Sequence, residues 1–205
     1  MYSQNNEEEI ICTELARVQL TTGNFLDIGA WDGKGFSNTY RLAELGWSGV
    51  CVEASPTVFP GLIKNHAGNA KIKLVNAAIS AKTSTLVDWF DSGGDAISTT
   101  SPEHARKWEA GWKVKFTPFL VYTMPLSALF ERFGYQFQLV NIDVESTNID
   151  LFRALPWEQL KAHMHILCIE HDGHVNEMAT VAAQHGYSVV ALNGENLLLN
   201  RLGTP

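Results

Sequence analysis

The chain of 205 residues has few cysteines, few basic residues and no long apolar run, and each shortage excludes something. Cys12, Cys51 and Cys168 form an odd set without metal-ligand spacing, each inside an apolar segment, so a disulfide scaffold and a thiolate metal site are both excluded. Buried, reduced thiols are expected instead. Lys and Arg number 15 against 22 Asp and Glu and are scattered, so the footprint of a non-specific nucleic-acid binder is missing and nucleic acid is not expected as a partner. No apolar stretch approaches a bilayer span, and Glu7, Glu8 and Glu9 stand where a signal peptide would be basic. A soluble, cytoplasmic protein without a membrane partner is expected. There is no repeat and no linker, and with 45% apolar residues the chain is long enough for one domain over residues 1–205 with its own core. Nothing in it fixes the oligomeric state.

What is present begins at Phe25-Leu26-Asp27-Ile28-Gly29-Ala30-Trp31-Asp32-Gly33, followed by Gly49-Val50-Cys51-Val52-Glu53-Ala54. This reads as an apolar strand breaking into a Gly-rich turn, a helix, and a second apolar strand ending in a carboxylate. In an open parallel sheet, ligands bind beyond the carboxyl ends of the strands, and an acid about 20 residues after the turn accepts from ribose hydroxyls. Glu53 is placed for that. The dinucleotide fingerprint needs a second Gly to admit a pyrophosphate. Trp31 fills that position, which disfavours NAD but leaves room for a ribose without a pyrophosphate, such as that of S-adenosylmethionine. The competing reading is an ordinary tight turn capped by Asp32.

The rest of the chain alternates strand and helix. A first helix is expected from about Glu7 to Gln19, capped by Asn5 or Asn6, then strands at Asn24–Ile28, Gly49–Val52 and Lys71–Val75. Ser37 or Asn38 opens one intervening helix, which stops at Gly46, and Pro56 starts the next. Strands near Ser84–Phe90 and Phe116–Thr123 flank residues 91–117, a long mixed segment with Gly93, Gly94, Trp108 and Trp112. Such a segment is either a lid on the acceptor side or a surface insertion. Strands follow at Gln136–Ile142 and His165–Ile169, helices at Thr147–Leu155 and Val175–Gln184, and a closing hairpin from Tyr187–Leu192 and Leu197–Arg201. The rhythm predicts an α/β fold of three αβα layers, Rossmann-like, with a mostly parallel seven-stranded sheet ending in an antiparallel hairpin.

Two acidic clusters end the central strands. Asp143 and Glu145 would face the same way if the strand persists that far, one toward a cofactor and one toward an acceptor, or they cap the helix beginning near Thr147. In Glu170-His171-Asp172-Gly173-His174, His171 is the side chain most easily poised as a base, and Asp172 with Gly173 could equally form a plain turn. Oxygen ligands for a divalent cation are conceivable here, but the spacing is not diagnostic and no metal is assigned.

The motifs Asp27-Ile28-Gly29-Ala30-Trp31-Asp32-Gly33 with Ser37-Asn38-Thr39, Val52-Glu53-Ala54-Ser55-Pro56, Val75-Asn76-Ala77-Ala78-Ile79 and Asn141-Ile142-Asp143-Val144-Glu145 resemble, in order and spacing, the FkbM family of S-adenosylmethionine-dependent methyltransferases, over roughly residues 24–170. Ser146 stands where that family usually has Gly. The resemblance implies a class I methyltransferase fold with Asp27, Gly29, Ala30 and Gly33 bordering the methionine part of the cofactor and Glu53 holding the ribose. Ala54, Ser55, Asn76 and Ala77 would surround the adenine, and Asp143-Val144-Glu145 would lie where cofactor and acceptor meet; Trp31, which replaces a residue commonly smaller in the family, and Asn38 are also taken into the cofactor set. The reaction expected is O-methylation of a sugar, glycan or secondary metabolite, and the two acidic clusters supply Asp143, Glu145 and His171 as the catalytic candidates. A catalytically silent cofactor-binding module and a nucleotide-dependent oxidoreductase are the alternatives.

Overall fold

A computed structural model describes residues 1–201. The first half runs α1 (Glu7–Arg17), β1 (Asn24–Ile28), α2 (Tyr40–Glu44), β2 (Ser48–Glu53), α3 (Phe59–Asn65), β3 (Ile72–Asn76), β4 (Ala78–Ser80) and β5 (Leu86–Asp91). It continues through α4 (Pro102–Trp112), β6 (Thr117–Pro125), α5 (Leu126–Phe133), β7 (Leu139–Ile142), α6 (Asn148–Ala154), α7 (Trp157–Leu160), β8 (Ile166–Glu170), α8 (Val175–Gln184), β9 (Tyr187–Leu192) and β10 (Asn196–Arg201). Seven strands form one sheet in the order β3-β2-β1-β7-β8-β10-β9, parallel except for β10, which runs antiparallel to both of its neighbours. Among the described residues, no helix is long and apolar enough to cross a membrane.

Strand alternation divides the core. Phe25, Cys51, Leu139, Cys168 and Leu198 pack on one face with Ile11 and Leu15 of α1, Leu42 of α2 and Leu62 of α3. Leu26, Ile28, Val140, Leu167 and Ile169 face the other way, onto Phe130 of α5, Phe152 of α6, Leu160 of α7 and Met178 of α8. Covering a parallel sheet on both faces yields the three-layer architecture expected from the strand–helix rhythm. Cys51 and Cys168 are buried, and burial pushes both thiols well above their usual range.

Several local expectations are corrected. The first helix stops at Arg17, and Asn6 is not a side-chain cap: its backbone is left-handed at φ 69°, while Ser3 Oγ accepts from the Glu8 N–H at 3.1 Å. Pro56 lies in a turn and α3 begins at Phe59, with Pro60 in its first turn. Thr39, not Ser37 or Asn38, immediately precedes α2. The strands flanking residues 91–117 do not join the main sheet. They form a separate three-stranded sheet, β4-β6-β5, with β5 and β6 antiparallel and Leu86 opposite Tyr122.

Candidate functional site

The strand order runs outward from β1 on one side and from β7 on the other, so the carboxyl ends of these two strands form the switch point of the sheet. A cleft of about 530 Å³ opens there, within the ~300–1,000 Å³ typical of small-molecule sites. After Ile28 the chain turns at Gly29, φ 89°, where the Gly29 and Ala30 N–H groups both donate to Val52 O at 2.9 Å. A Cβ on Gly29 would stand 1.6 Å from the Asp143 carbonyl oxygen, so only glycine lets this turn lie against the backbone leaving β7. Trp31 follows at φ 48°, an unfavourable backbone state for a bulky side chain. Two bonds hold it there: its N–H donates to Glu53 Oε2 at 2.9 Å, and its indole Nε1–H to Gly94 O at 2.9 Å. Asp32 Oδ1 accepts from the Lys34 and Gly35 N–H groups at 2.8 and 2.7 Å, so the capped-turn reading of Asp32 and the ligand reading of the turn coexist.

Glu53 ends β2 with its carboxylate against the cleft, 7% exposed. Oε2 takes the Trp31 N–H and Oε1 the Ser55 N–H at 2.6 Å. Burial pushes its pKa up to about 7, against these backbone donors, which favour the charged form. Two N–H groups leave half of the carboxylate's lone pairs uncommitted. Below it, Asp27 is 2% exposed, accepting from Thr39 Oγ1 at 2.6 Å and Asn141 Nδ2 at 2.8 Å, while Asn38 Nδ2 donates to Asn141 Oδ1 at 3.0 Å. Burial raises the Asp27 carboxyl, and these donors oppose the shift. Asn38 Oδ1 and Asn196 Oδ1 are buried at the cleft without a partner among the described residues.

At the ends of β7 and β8, the carboxylate oxygens of Asp143, Glu145 and Glu170 lie within 4.8 Å of one another. The strand stops at Ile142, so a continued extended strand is not what gathers them: Glu145 and Ser146 take left-handed conformations, φ 54° and 85°, and fold the loop back. Ser146 thus occupies the region that a glycine would enter freely. Burial raises both Asp143 and Glu170, and repulsion among the neighbouring acids adds to the shift. Asn148, fully buried, arranges the group. Its Oδ1 accepts the Val144 N–H at 2.9 Å, and its Nδ2 donates to Glu170 Oε2 at 2.6 Å and Asp172 Oδ2 at 3.0 Å. Sequence reasoning missed Asn148, although an Asn at the start of a helix following an acidic loop is a signal that could have found it.

Most of the expected residues meet at one cleft: Asp27, Gly29, Ala30, Trp31, Asn38, Glu53, Ala54, Ser55, Ala77, Asp143 and Glu145 line it. Three do not. Gly33, φ 73°, has no side chain because a Cβ would stand 2.3 Å from Leu62 Cδ1, so it seats the turn on α3. Asn76 ties β3 to β2 through Nδ2 bonds to Glu53 O at 2.8 Å and Ala54 O at 3.3 Å. His171 lies off the wall with both ring nitrogens engaged: Nδ1 accepts the Gly173 N–H at 3.0 Å, leaving Nε2 to donate to Asn193 O at 3.3 Å. Asp172, φ 47°, and Gly173, φ 82°, make the turn into α8. The histidine on the wall is instead His104 of α4, with Nε2 3.2 Å from Glu145 Oε2.

Residues 91–117 are tethered at several points. Phe90 and Thr99 exchange backbone hydrogen bonds at 2.8 and 3.1 Å, Ser55 Oγ donates to Asp91 Oδ1 at 3.2 Å, and Thr99 Oγ1 donates to Glu145 O at 2.8 Å. Ile97, His104 and Trp108 of this segment line the cleft, whereas Trp112 is 75% exposed.

No protein-family model matches the chain, and no curated protein matches it. Solved structures do. A hypothetical protein of Thermus thermophilus superposes with a TM-score of 0.54 at 15% identity, over 98% of this chain and 87% of that one. A Streptococcus pneumoniae protein proposed to be a tRNA (m1A22) methyltransferase, in complex with S-adenosyl-L-methionine, gives 0.51 at 14% identity, over 98% and 73%. The fold is that of the class I methyltransferases. At these identities the likeness is one of architecture.

Proposed function

We propose that the protein is an S-adenosylmethionine-dependent methyltransferase acting on a hydroxyl of a small molecule, such as a sugar, a glycan unit or a secondary metabolite. The observation that carries this reading is Glu53, a buried carboxylate that lines the cleft and is fixed by two backbone N–H groups with lone pairs to spare. That is what ribose hydroxyls require. The unpartnered Asn38 Oδ1 offers a further acceptor to a ligand N–H, and the methionine portion carries an ammonium. A cationic ligand would favour the charged forms of Asp143, Glu145 and Glu170, and the same acids support a neutral acceptor over a polyanion. The four motifs in their order support the FkbM reading, and the complex of the pneumococcal neighbour supports the choice of cofactor.

When bound, the cofactor supplies an electrophilic methyl carbon on a sulfonium. The chain's own task is then to align a nucleophile and exclude water. Glu53 and Asn38 hold, the Gly29 turn sets depth, and the Trp31–Gly94 bond draws residues 91–98 over the cleft. Isothermal calorimetry with S-adenosylhomocysteine tests the reading. Glu53→Ala is expected to weaken binding by about 1.5–3 kcal/mol, the worth of hydrogen bonds to a charged acceptor. Tight NADH binding without any response to S-adenosylhomocysteine would overturn it.

A further inference from the structure

We propose that His104, held by Glu145, takes the proton of the methyl acceptor, so that the acceptor's nucleophile is a hydroxyl; this rests on the methyltransferase reading. A hydroxyl is a poor nucleophile until its proton has somewhere to go, and a base within reach is worth about 10²–10⁴ in rate. Of the three histidines beside the acidic loops, His174 is exposed at the start of α8 beside Glu177, off the cleft, and His171 has both nitrogens committed to the β8–α8 turn and the closing hairpin. His104 lines the cleft, 14% exposed at the side chain, with Nε2 3.2 Å from Glu145 Oε2 and without a hydrogen-bond partner among the described residues.

The pairing is built in. Thr99, 0% exposed, donates through Oγ1 to Glu145 O at 2.8 Å and accepts the Ser101 N–H at 3.0 Å. Ser101 then caps α4 by accepting the His104 N–H on Oγ at 3.2 Å. This short relay sets the first turn of α4 in register with the loop after β7. The same loop touches the Gly29 turn through Asp143 O, so the dyad stands next to the cofactor wall rather than at a remote rim. The Nε2–Glu145 contact is at ion-pair distance without full hydrogen-bond alignment, as catalytic contacts in ligand-free enzymes often are.

In the step, the acceptor oxygen forms its bond to the methyl carbon as the carbon–sulfur bond breaks, and the electron pair goes to sulfur, leaving a thioether. The acceptor's proton passes to His104 Nδ1. The positive charge lost by the sulfonium reappears on the imidazolium, facing Glu145. Glu145 is here a positioning residue: it selects the Nε2–H tautomer and leaves the Nδ1 lone pair for the acceptor.

Nitrogen-15 NMR of labelled histidines, on the full chain with S-adenosylhomocysteine and with catechol as a hydroxyl probe, tests this. His104 is expected as the Nε2–H tautomer, and saturating catechol should shift its Nδ1 signal while leaving His171 unmoved. Glu145→Gln should mix the tautomers and abolish the catechol shift. His104→Gln should lower catechol methylation at least about 100-fold while the S-adenosylhomocysteine Kd stays within about twofold. An Nδ1–H tautomer, no response of His104 to catechol, or unchanged turnover in His104→Gln would overturn the proposal. Failure of the methyltransferase reading appears separately, as the absence of S-adenosylhomocysteine binding in the unsubstituted protein.

Discussion

Replacing Glu53 with Gln should stabilise the ligand-free protein at alkaline pH and weaken cofactor binding at the same time. The Glu53 carboxyl is raised from the ordinary glutamate value of 4.5 to about 7 by burial. A group raised in this way contributes stability that is fully present below its unfolded value and is lost as pH rises through its folded one. Complete loss amounts to about 3 kcal/mol, of which about 2 kcal/mol falls between pH 5.5 and 8. The neutral amide has no such dependence. It has one acceptor oxygen for two N–H groups, from Trp31 and Ser55, and the mismatch costs about 1–3 kcal/mol. A protonated carboxyl suffers a similar mismatch, so the variant and the parent should be close at pH 5.5. At pH 8 the melting temperature of Glu53→Gln should have moved up relative to the parent by about 4–8 °C. Scanning calorimetry of both proteins across this range measures the change, and the contributions of the other buried acids cancel in the difference. Affinity for S-adenosylhomocysteine at pH 8 should fall by about 1.5–3 kcal/mol, since the amide oxygen is already committed to a backbone N–H. A temperature difference that stays constant between pH 5.5 and 8 would refute the claim that Glu53 is a desolvated acid strained by its own charge.

Two other expectations concern the far side of the cleft. Asn148→Ala should cost about 1–3 kcal/mol in denaturant unfolding, because the Val144 N–H loses its acceptor and Glu170, half-buried, loses a donor, whereas water can replace the bond to the exposed Asp172; a loss below about 0.5 kcal/mol would mean that water replaces the amide without penalty. Hydrogen exchange over residues 93–97 should be fast in the free protein and slow with cofactor and acceptor bound, while Thr99, paired to Phe90 through the backbone, stays protected throughout. Equal protection with and without ligands would make this segment a fixed wall.

The main sheet was legible because its strands are short apolar runs ending in Gly, Asp or Glu, a pattern that burial on both faces imposes. β1, α8 and β9 fall where the periodicity puts them. The separate β4-β6-β5 sheet was not legible, since Leu86, Leu120 and Tyr122 are exposed on it and read as ordinary strand residues with no indication of partner. The place of Glu53 could be read because it is local to the end of its own strand. His104 could not: it meets Glu145 only through the relay of Thr99 and Ser101 across the cleft, and a lone His at the start of a polar helix carries no pattern of its own. His171 misled for the converse reason. Its neighbours in sequence are acidic, but the turn at Asp172 and Gly173 directs its ring nitrogens to backbone groups.

The same geometry explains why so many acids gather where the fold gains nothing from them. Asp27, Glu53, Asp143 and Glu170 all lie at or near the carboxyl ends of parallel strands, and burial raises the pKa of each. Core packing would be better served by apolar residues at such positions, since an ionised carboxylate without a cation is costly to bury. Thr39 and Asn141 hold Asp27, and Asn148 holds Glu170, by hydrogen bonds from neutral side chains instead of by lysine or arginine, so their charged forms stay disfavoured until a cationic group comes near. Two backbone N–H groups do the same for Glu53. A wall arranged in this way is unfavourable alone and favourable around a ligand carrying positive charge and hydroxyl donors, so ligand binding offsets a strain that folding alone leaves in place.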